Sequence, residues 1–208
     1  MPRRSVVLFA AACVVMALAI GLVTLFVVGG RTNEPGSIAS TGQPLIGGDF
    51  TLTNQDGQVV DQSILKGKWS LVFFGFTHCP DYCPSTLGVM NAVQEGLGDE
   101  AKDLQIIFIS IDPARDTTQM LKDYLSSDGF PEGVVGLTGT PEQVAQAAKV
   151  YRAYYQKVGE GEGYTMNHSL TVYLMGPDGE FRTALAQDLG PTRTTELIRN
   201  EMKKVGAV

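Results

Sequence analysis

Two cysteines stand four residues apart in the segment Phe76-Thr77-His78-Cys79-Pro80-Asp81-Tyr82-Cys83-Pro84, and this is where the chain offers the most chemistry. The segment follows a continuous apolar run and precedes a helical pattern. The pair is therefore expected on the opening turn of a helix, where side chains four apart share one side with Cβ atoms roughly 5–6 Å apart. At that spacing both sulfurs reach one metal ion or, after a small adjustment, form a disulfide. A helix N-terminus favours negative charge and lowers a thiol's pKa, so thiolates are expected near neutral pH. Pro84 suits the first helical turn, where a missing N–H costs nothing. A purely structural bridge is the weaker reading. The part of the chain that follows the N-terminal apolar segment is long enough to bury its own core, and closing so short a loop adds little stability.

A dithiol alone leaves metal binding and redox exchange both open. The third cysteine, Cys13, sits in the apolar N-terminal segment, so one chain cannot assemble a four-cysteine zinc site. Of the two histidines, His78 adjoins Cys79, and neighbouring side chains diverge. His168 immediately precedes a strand-like run, Leu170–Met175. In a thioredoxin-like topology the loop entering that strand lies beside the cysteine turn, and in thiol oxidoreductases it carries a cis-proline. Here the loop reads Tyr164-Thr165-Met166-Asn167-His168-Ser169, with no proline. An imidazole at that place turns a peptide-docking surface into a third ligand position. Two thiolates and one imidazole suit Cu(I), with Cu(II) an alternative and Zn(II) a competitor.

The elements that must position these residues alternate between strand and helix. A hairpin is expected from Asp49–Asn54 and Gln58–Asp61 around Asp56-Gly57. Ser70–Phe76 and Leu104–Ile111 are continuous apolar runs, as in strands buried on both faces. Helices are expected over Ser85–Leu97, Thr117–Leu125, Pro141–Tyr155 (Thr140 as N-cap, Pro141 at the first helical position) and Thr192–Lys204. Val134–Leu137 and Leu170–Met175 complete the strands, with Glu180–Ala184 antiparallel to the latter across Pro177-Asp178-Gly179. The order predicts an α/β thioredoxin-like fold: a mixed central sheet flanked by helices, with an N-terminal β-hairpin extension.

Composition sets the class and the address. With 44% hydrophobic and 18% charged residues the chain is neither a disordered acidic tail nor a low-complexity polymer. Residues 1–30 hold two arginines and no acid, which leaves 14 basic and 22 acidic residues in the remainder, net −8. That balance excludes a nucleic-acid partner. Ser5 to Gly30 is 26 residues without a charge, enough to span a membrane and longer than the roughly 7–15-residue core of a cleaved signal. Arg3 and Arg4 before it favour a cytoplasmic N-terminus. Residues 1–30 are thus read as a single transmembrane helix and membrane anchor, 31–44 as a flexible linker rich in Gly, Pro and Ser, and 45–208 as the thioredoxin-like domain. That domain is expected to face the periplasm or an equivalent extracytoplasmic space from the inner (cytoplasmic) membrane.

These motifs together resemble the Sco/SenC copper-binding proteins. The resemblance rests on Gly75–Pro84, on Ile109-Ser110-Ile111-Asp112-Pro113-Ala114-Arg115-Asp116-Thr117, on Gly136–Thr140, and on His168-Ser169 leading into Tyr173–Gly179; it runs in order over residues 45–205. It implies a membrane-anchored protein that binds one copper ion through Cys79, Cys83 and His168. The implied partners are a copper donor protein and, as acceptor, subunit II of cytochrome c oxidase or a similar copper protein. The implied role is assembly of the subunit's binuclear copper centre, by delivering copper, by reducing its cysteines, or both. Asn167 departs from the family's usual Asp before the histidine, which bears on how the imidazole is tuned.

Two functions therefore compete: a copper metallochaperone, and a thiol–disulfide oxidoreductase whose redox-active dithiol is Cys79 and Cys83. Four other features take the plainer reading. Asp112, Arg115 and Asp116 are expected to form an Asp-Pro turn with Asp116 capping the next helix. Met166 is expected to pack, the acidic segment Gly159–Gly163 to be a solvated mobile loop, and Tyr151, Tyr154 and Tyr155 to fill core and interface from one helix face.

Overall fold

The computed structural model describes residues 45–206, so the expected anchor (1–30) and linker (31–44) lie outside the described residues. Among the described residues no helix is long and apolar enough to cross a membrane.

A hairpin opens the domain: β1 (Thr51–Asn54) and β2 (Val59–Asp61) pair antiparallel, with Gly57 in the left-handed conformation between them (φ 80°). Next come β3 (Trp69–Gly75), α1 (Tyr82–Leu97) and β4 (Leu104–Ser110). All seven residues of β3 are buried, as the unbroken apolar run requires of a strand covered on both faces. β3 and β4 run parallel in register from Trp69 opposite Leu104 to Gly75 opposite Ser110, so the two strands end side by side. α2 (Thr118–Leu125), β5 (Val135–Thr138) and α3 (Pro141–Tyr151) follow, with β5 parallel to β4 and β1 antiparallel to β5.

Past α3 the structure departs from the sequence expectation. The helix does not reach Tyr155. It stops at Arg152, a left-handed residue (φ 53°) whose N–H bonds to the Lys149 carbonyl, and Ala153 N–H closes back on Ala148. Tyr155 instead begins a separate two-stranded ribbon of β6 (Tyr155–Val158) and β7 (Thr165–His168), antiparallel, with Tyr155 opposite His168 and Val158 opposite Thr165. The acidic segment 159–163 is the ribbon's tip, turned through Gly159 and Gly161 at positive φ. Of the three tyrosines only Tyr151 is core, with its ring 5.4 Å from Phe74 and 5.3 Å from Tyr173; Tyr154 is exposed and Tyr155 belongs to β6.

β8 (Val172–Met175) and β9 (Phe181–Leu185) form the closing hairpin, and β8 runs antiparallel to β3. α4 (Gly190–Gly206) packs on α1, where Arg199 donates to the Gly96 carbonyl and pairs with Glu100. The large sheet has the order β2-β1-β5-β4-β3-β8-β9. A βαβ unit first and a hairpin with its helix last give the thioredoxin-like arrangement. The three parallel strands point their carboxyl ends to one edge, where open α/β sheets place their sites.

Candidate metal centre

β3 ends at Gly75, and the chain leaves the sheet through Phe76 to Asp81. Cys79 sits in this loop, its N–H donating to the Phe76 carbonyl at 3.1 Å. Cys83 lies inside the first turn of α1. The pair therefore straddles the helix start; only Cys83 is on the opening turn. Cys83 N–H points back at Cys79 Sγ, 3.4 Å away. Both thiols are free and buried, with Cys83 1% and Cys79 8% exposed. Gly75 makes this seat: a Cβ there would stand 2.7 Å from Cys83 Sγ and 2.8 Å from the Phe108 ring.

The third expected residue arrives from the ribbon. His168 Nε2 is 3.9 Å from Cys83 Sγ, and the two sulfurs and this nitrogen all lie within 4.8 Å of one another. His168 Nδ1 is 2.9 Å from the Ser169 carbonyl. A carbonyl only accepts, so Nδ1 carries a proton and Nε2 is the ring nitrogen that faces the thiols. The Phe76 ring meets the imidazole edge-on at 5.9 Å. Donors about 2.0–2.3 Å from one ion in a trigonal arrangement stand roughly 3.5–4 Å apart. The spacing of this set, and its softness, fit a single copper-like ion.

The two sulfurs are not equivalent. The Cys83 thiol donates a hydrogen bond to Cys79, which with smaller help from His168 and the N–H groups of Asp81 and Cys83 brings the Cys79 pKa down to about 3 against the effect of burial. Cys83 is pushed far up because it is that donor, and because it is buried beside the charge on its partner. The free pair thus favours a thiolate at Cys79 beside a thiol at Cys83, and a bound cation would supply the field that releases the second proton.

His78 is not in the cluster; its Nδ1 contacts Thr77 Oγ1 at 3.0 Å and its ring is half exposed. Met166 is buried in the core, as expected of a packing methionine. Asp116 is a correction. It does not cap α2, because Thr117 does so by accepting from Met120 N–H. Asp116 is fully buried and accepts from Thr77 N–H (3.1 Å), Thr77 Oγ1 (2.6 Å) and Ser110 Oγ (2.6 Å). It thereby ties the cysteine loop to the end of β4. Burial holds its carboxyl above the usual range, partly offset by the Ser110 and Thr77 hydrogen bonds. Asp112 and Arg115 form an ion pair that also binds Tyr164, just before β7. Sequence reasoning noticed these three charged residues but read them as a local turn, and it missed Thr77, Ser110 and Tyr164.

With this geometry in hand, comparison with known proteins is decisive on family. The SCO1/SenC family profile matches residues 38–203. The human mitochondrial SCO1 homolog is 43% identical over 151 residues, covering 71% of this chain and 50% of that protein. The structure of Bradyrhizobium japonicum ScoI with copper bound is 41% identical, with TM-score 0.68, covering 74% of this chain and 98% of that one. Arabidopsis thaliana ScoI with copper bound is 37% identical, with TM-score 0.72, covering 76% and 99%. The chain spans about half the length of the curated relatives it matches first. A chain that meets the family profile over most of its length, and shares its fold with these relatives, belongs to the SCO1/SenC family.

Proposed function

We propose that this protein is a copper metallochaperone. It holds one copper ion through Cys79, Cys83 and His168 and delivers it to the binuclear copper centre of cytochrome c oxidase subunit II, or to a similar copper acceptor, after loading by a donor protein. The observation that carries this reading is the convergence of two thiols and one imidazole within 4.8 Å, the imidazole held by the Ser169 carbonyl at Nδ1. The copper-bound relatives named above support it. Cu(I) suits the two soft sulfurs best, and Cu(II) can share the site. An acceptor's own thiols can enter as one of these ligands leaves, so the ion passes without being freed. Residues 1–30 anchor the protein in the inner membrane, 31–44 tether the domain, and residues 45–208 work on the periplasmic or extracytoplasmic side.

The test is copper stoichiometry and X-ray absorption on the reduced full-length protein in detergent, wild type beside His168→Ala. One copper per chain with two sulfurs and one nitrogen, the nitrogen lost in the variant, is the expected result. A two-sulfur site indifferent to His168 overturns the assignment.

A second reading is favoured by one observation, two free thiols side by side with the Cys83 N–H aimed at Cys79 Sγ, an arrangement that lowers the Cys79 pKa. A stabilised thiolate beside a resolving thiol is the arrangement of a thiol–disulfide oxidoreductase, which here would reduce the cysteines of the acceptor. Reduction of a disulfide substrate that survives His168→Ala and is lost in Cys79→Ser supports this second activity; inertness of the wild-type dithiol rejects it.

A further inference from the structure

The third donor is not carried by the sheet that carries the other two. His168 ends β7 in a ribbon of four residue pairs that forms a sheet of its own. Three of the four β6 residues are exposed. A two-stranded ribbon of this length is marginal in water by itself, so its position has to be imposed by contacts elsewhere.

Met166 packs β7 into the core and Phe76 meets the His168 ring, while the polar contacts converge on Tyr164, the residue before β7. Its hydroxyl donates to Asp112 Oδ1 at 2.6 Å. Its carbonyl accepts from Arg115 Nη1 at 3.0 Å, and the Arg115 guanidinium stands 3.6 Å from its ring centroid. Arg115 Nε in turn donates to Asp112 Oδ2 at 2.5 Å, which closes a ring of three residues. Lys157, on β6, brings its ammonium within 3.8 Å of the same aromatic ring, so both strands are held. Asp112 and Arg115 belong to the turn that also carries Asp116, the anchor of the cysteine loop through Thr77. One turn therefore grips the carrier of the sulfurs with one residue and the carrier of the imidazole with two others.

We infer that Arg115 and Tyr164 are positioning residues that form a latch, setting the approach of His168 to the dithiol. With the latch made, the ribbon presents Nε2 to Cys83; with it broken, the centre is left with two sulfurs. The inference rests on the copper-centre reading above and adds the device that fixes its third ligand. Arg115 is suited to this because its planar fork makes two hydrogen bonds while stacking on a ring, which a lysine ammonium cannot do. Tyr164→Phe keeps the ring and removes only the hydroxyl bond to Asp112.

The test compares wild type, Arg115→Lys, Tyr164→Phe and His168→Ala as full-length reduced protein, with two readouts. The first needs no metal: hydrogen exchange of backbone amides in residues 155–168 against those of β3 and β4. Both latch variants are expected to speed exchange in the ribbon alone. The second is Cu(I) affinity by competition with a chromophoric chelator, with X-ray absorption counting nitrogen. Losing a residue that orients a ligand typically weakens metal binding about 10–100-fold. Arg115→Lys is expected near the lower figure, shifted toward His168→Ala with the nitrogen signal reduced; Tyr164→Phe shifts less. Unchanged ribbon exchange in both variants overturns the latch. So does faster exchange spread through β3 and β4, which would mark a general loss of packing. Equal copper binding by wild type and His168→Ala would sink the ligand assignment instead, while the exchange data still decide whether the ribbon is latched.

Discussion

Gly75→Ala isolates the steric basis of the dithiol's seat. Gly75 ends a fully buried strand, and its backbone is not in the left-handed region, so alanine brings no conformational strain there. Considered alone, the swap would even help: glycine in a strand interior costs roughly 0.5–1 kcal/mol relative to alanine. Against this, the added methyl would lie 2.7 Å from Cys83 Sγ and 2.8 Å from Phe108 Cε2. Neither neighbour has room to yield. Cys83 is fixed in the first turn of α1, and Phe108 is fully buried with its ring 5.0 Å from that of Phe73. Overpacking of this kind costs typically 1–3 kcal/mol, so a net loss of about 1–2 kcal/mol is expected, a fall of about 2–8 °C in Tm for a domain of this size. Displacement of Cys83 Sγ also opens the 3.9 Å approach to His168 Nε2, so copper affinity should drop with stability. A double-mutant cycle with Cys83→Ala separates the two clashes. Removing the sulfur should relieve part of the penalty, giving a coupling of about 0.5–1.5 kcal/mol in urea unfolding, while the Phe108 clash persists. A Gly75→Ala protein as stable as wild type, with no coupling to Cys83, would refute the reasoning.

Two further predictions follow from the ionisable groups. With the Cys79 pKa near 3, the reduced apoprotein should show one thiolate by ultraviolet absorbance from about pH 5 to pH 8, where an ordinary thiol is largely protonated. Cys83→Ala removes the main donor to that sulfur and should move the titration upward; absence of thiolate absorbance in that window contradicts a thiolate at Cys79 beside a thiol at Cys83. Burial raises Asp116, so the folded state binds its proton more tightly than the unfolded state does. Stability from this group is accordingly present at low pH and lost as pH rises from the ordinary carboxylate value through the raised one. Asp116→Asn should lack that component in urea melts across acid pH, and an unaltered pH profile would remove Asp116 from the account.

The parts of the fold legible in sequence are those whose burial leaves a pattern. Ser70–Phe76 announces β3 because a strand covered on both faces must be apolar throughout. Thr140-Pro141 announces α3 because the cap and the first helical position each have a chemical signature, here a complete capping box with Gln143. The ribbon was missed for the converse reason. Tyr155-Gln156-Lys157-Val158 is mostly exposed, so its sequence carries no core-facing period, and Arg152 stops α3 without a glycine or proline to mark the place. The centre divides in the same way. Cys79 and Cys83 are local, and His168 could be joined to them through topology. The anchoring of Thr77 by Asp116 spans 39 residues and that of Tyr164 by Asp112 spans 52. A helix-capping motif in the Asp116-Thr117 pair offered a simpler local explanation, and Thr117 alone satisfies it.

The start of α1 carries one more implication. Asp81 stands at the N-cap position and makes no side-chain capping bond, while the first-turn amide of Cys83 is directed at Cys79 Sγ. The sulfur is thus part of the helix's cap. Thermodynamic reciprocity then applies: to whatever extent that amide favours the thiolate, the thiolate favours the wound first turn by the same amount. Protonating, alkylating or oxidising Cys79 withdraws this support, so the chemical state of one atom is also a mechanical setting for the helix that follows it.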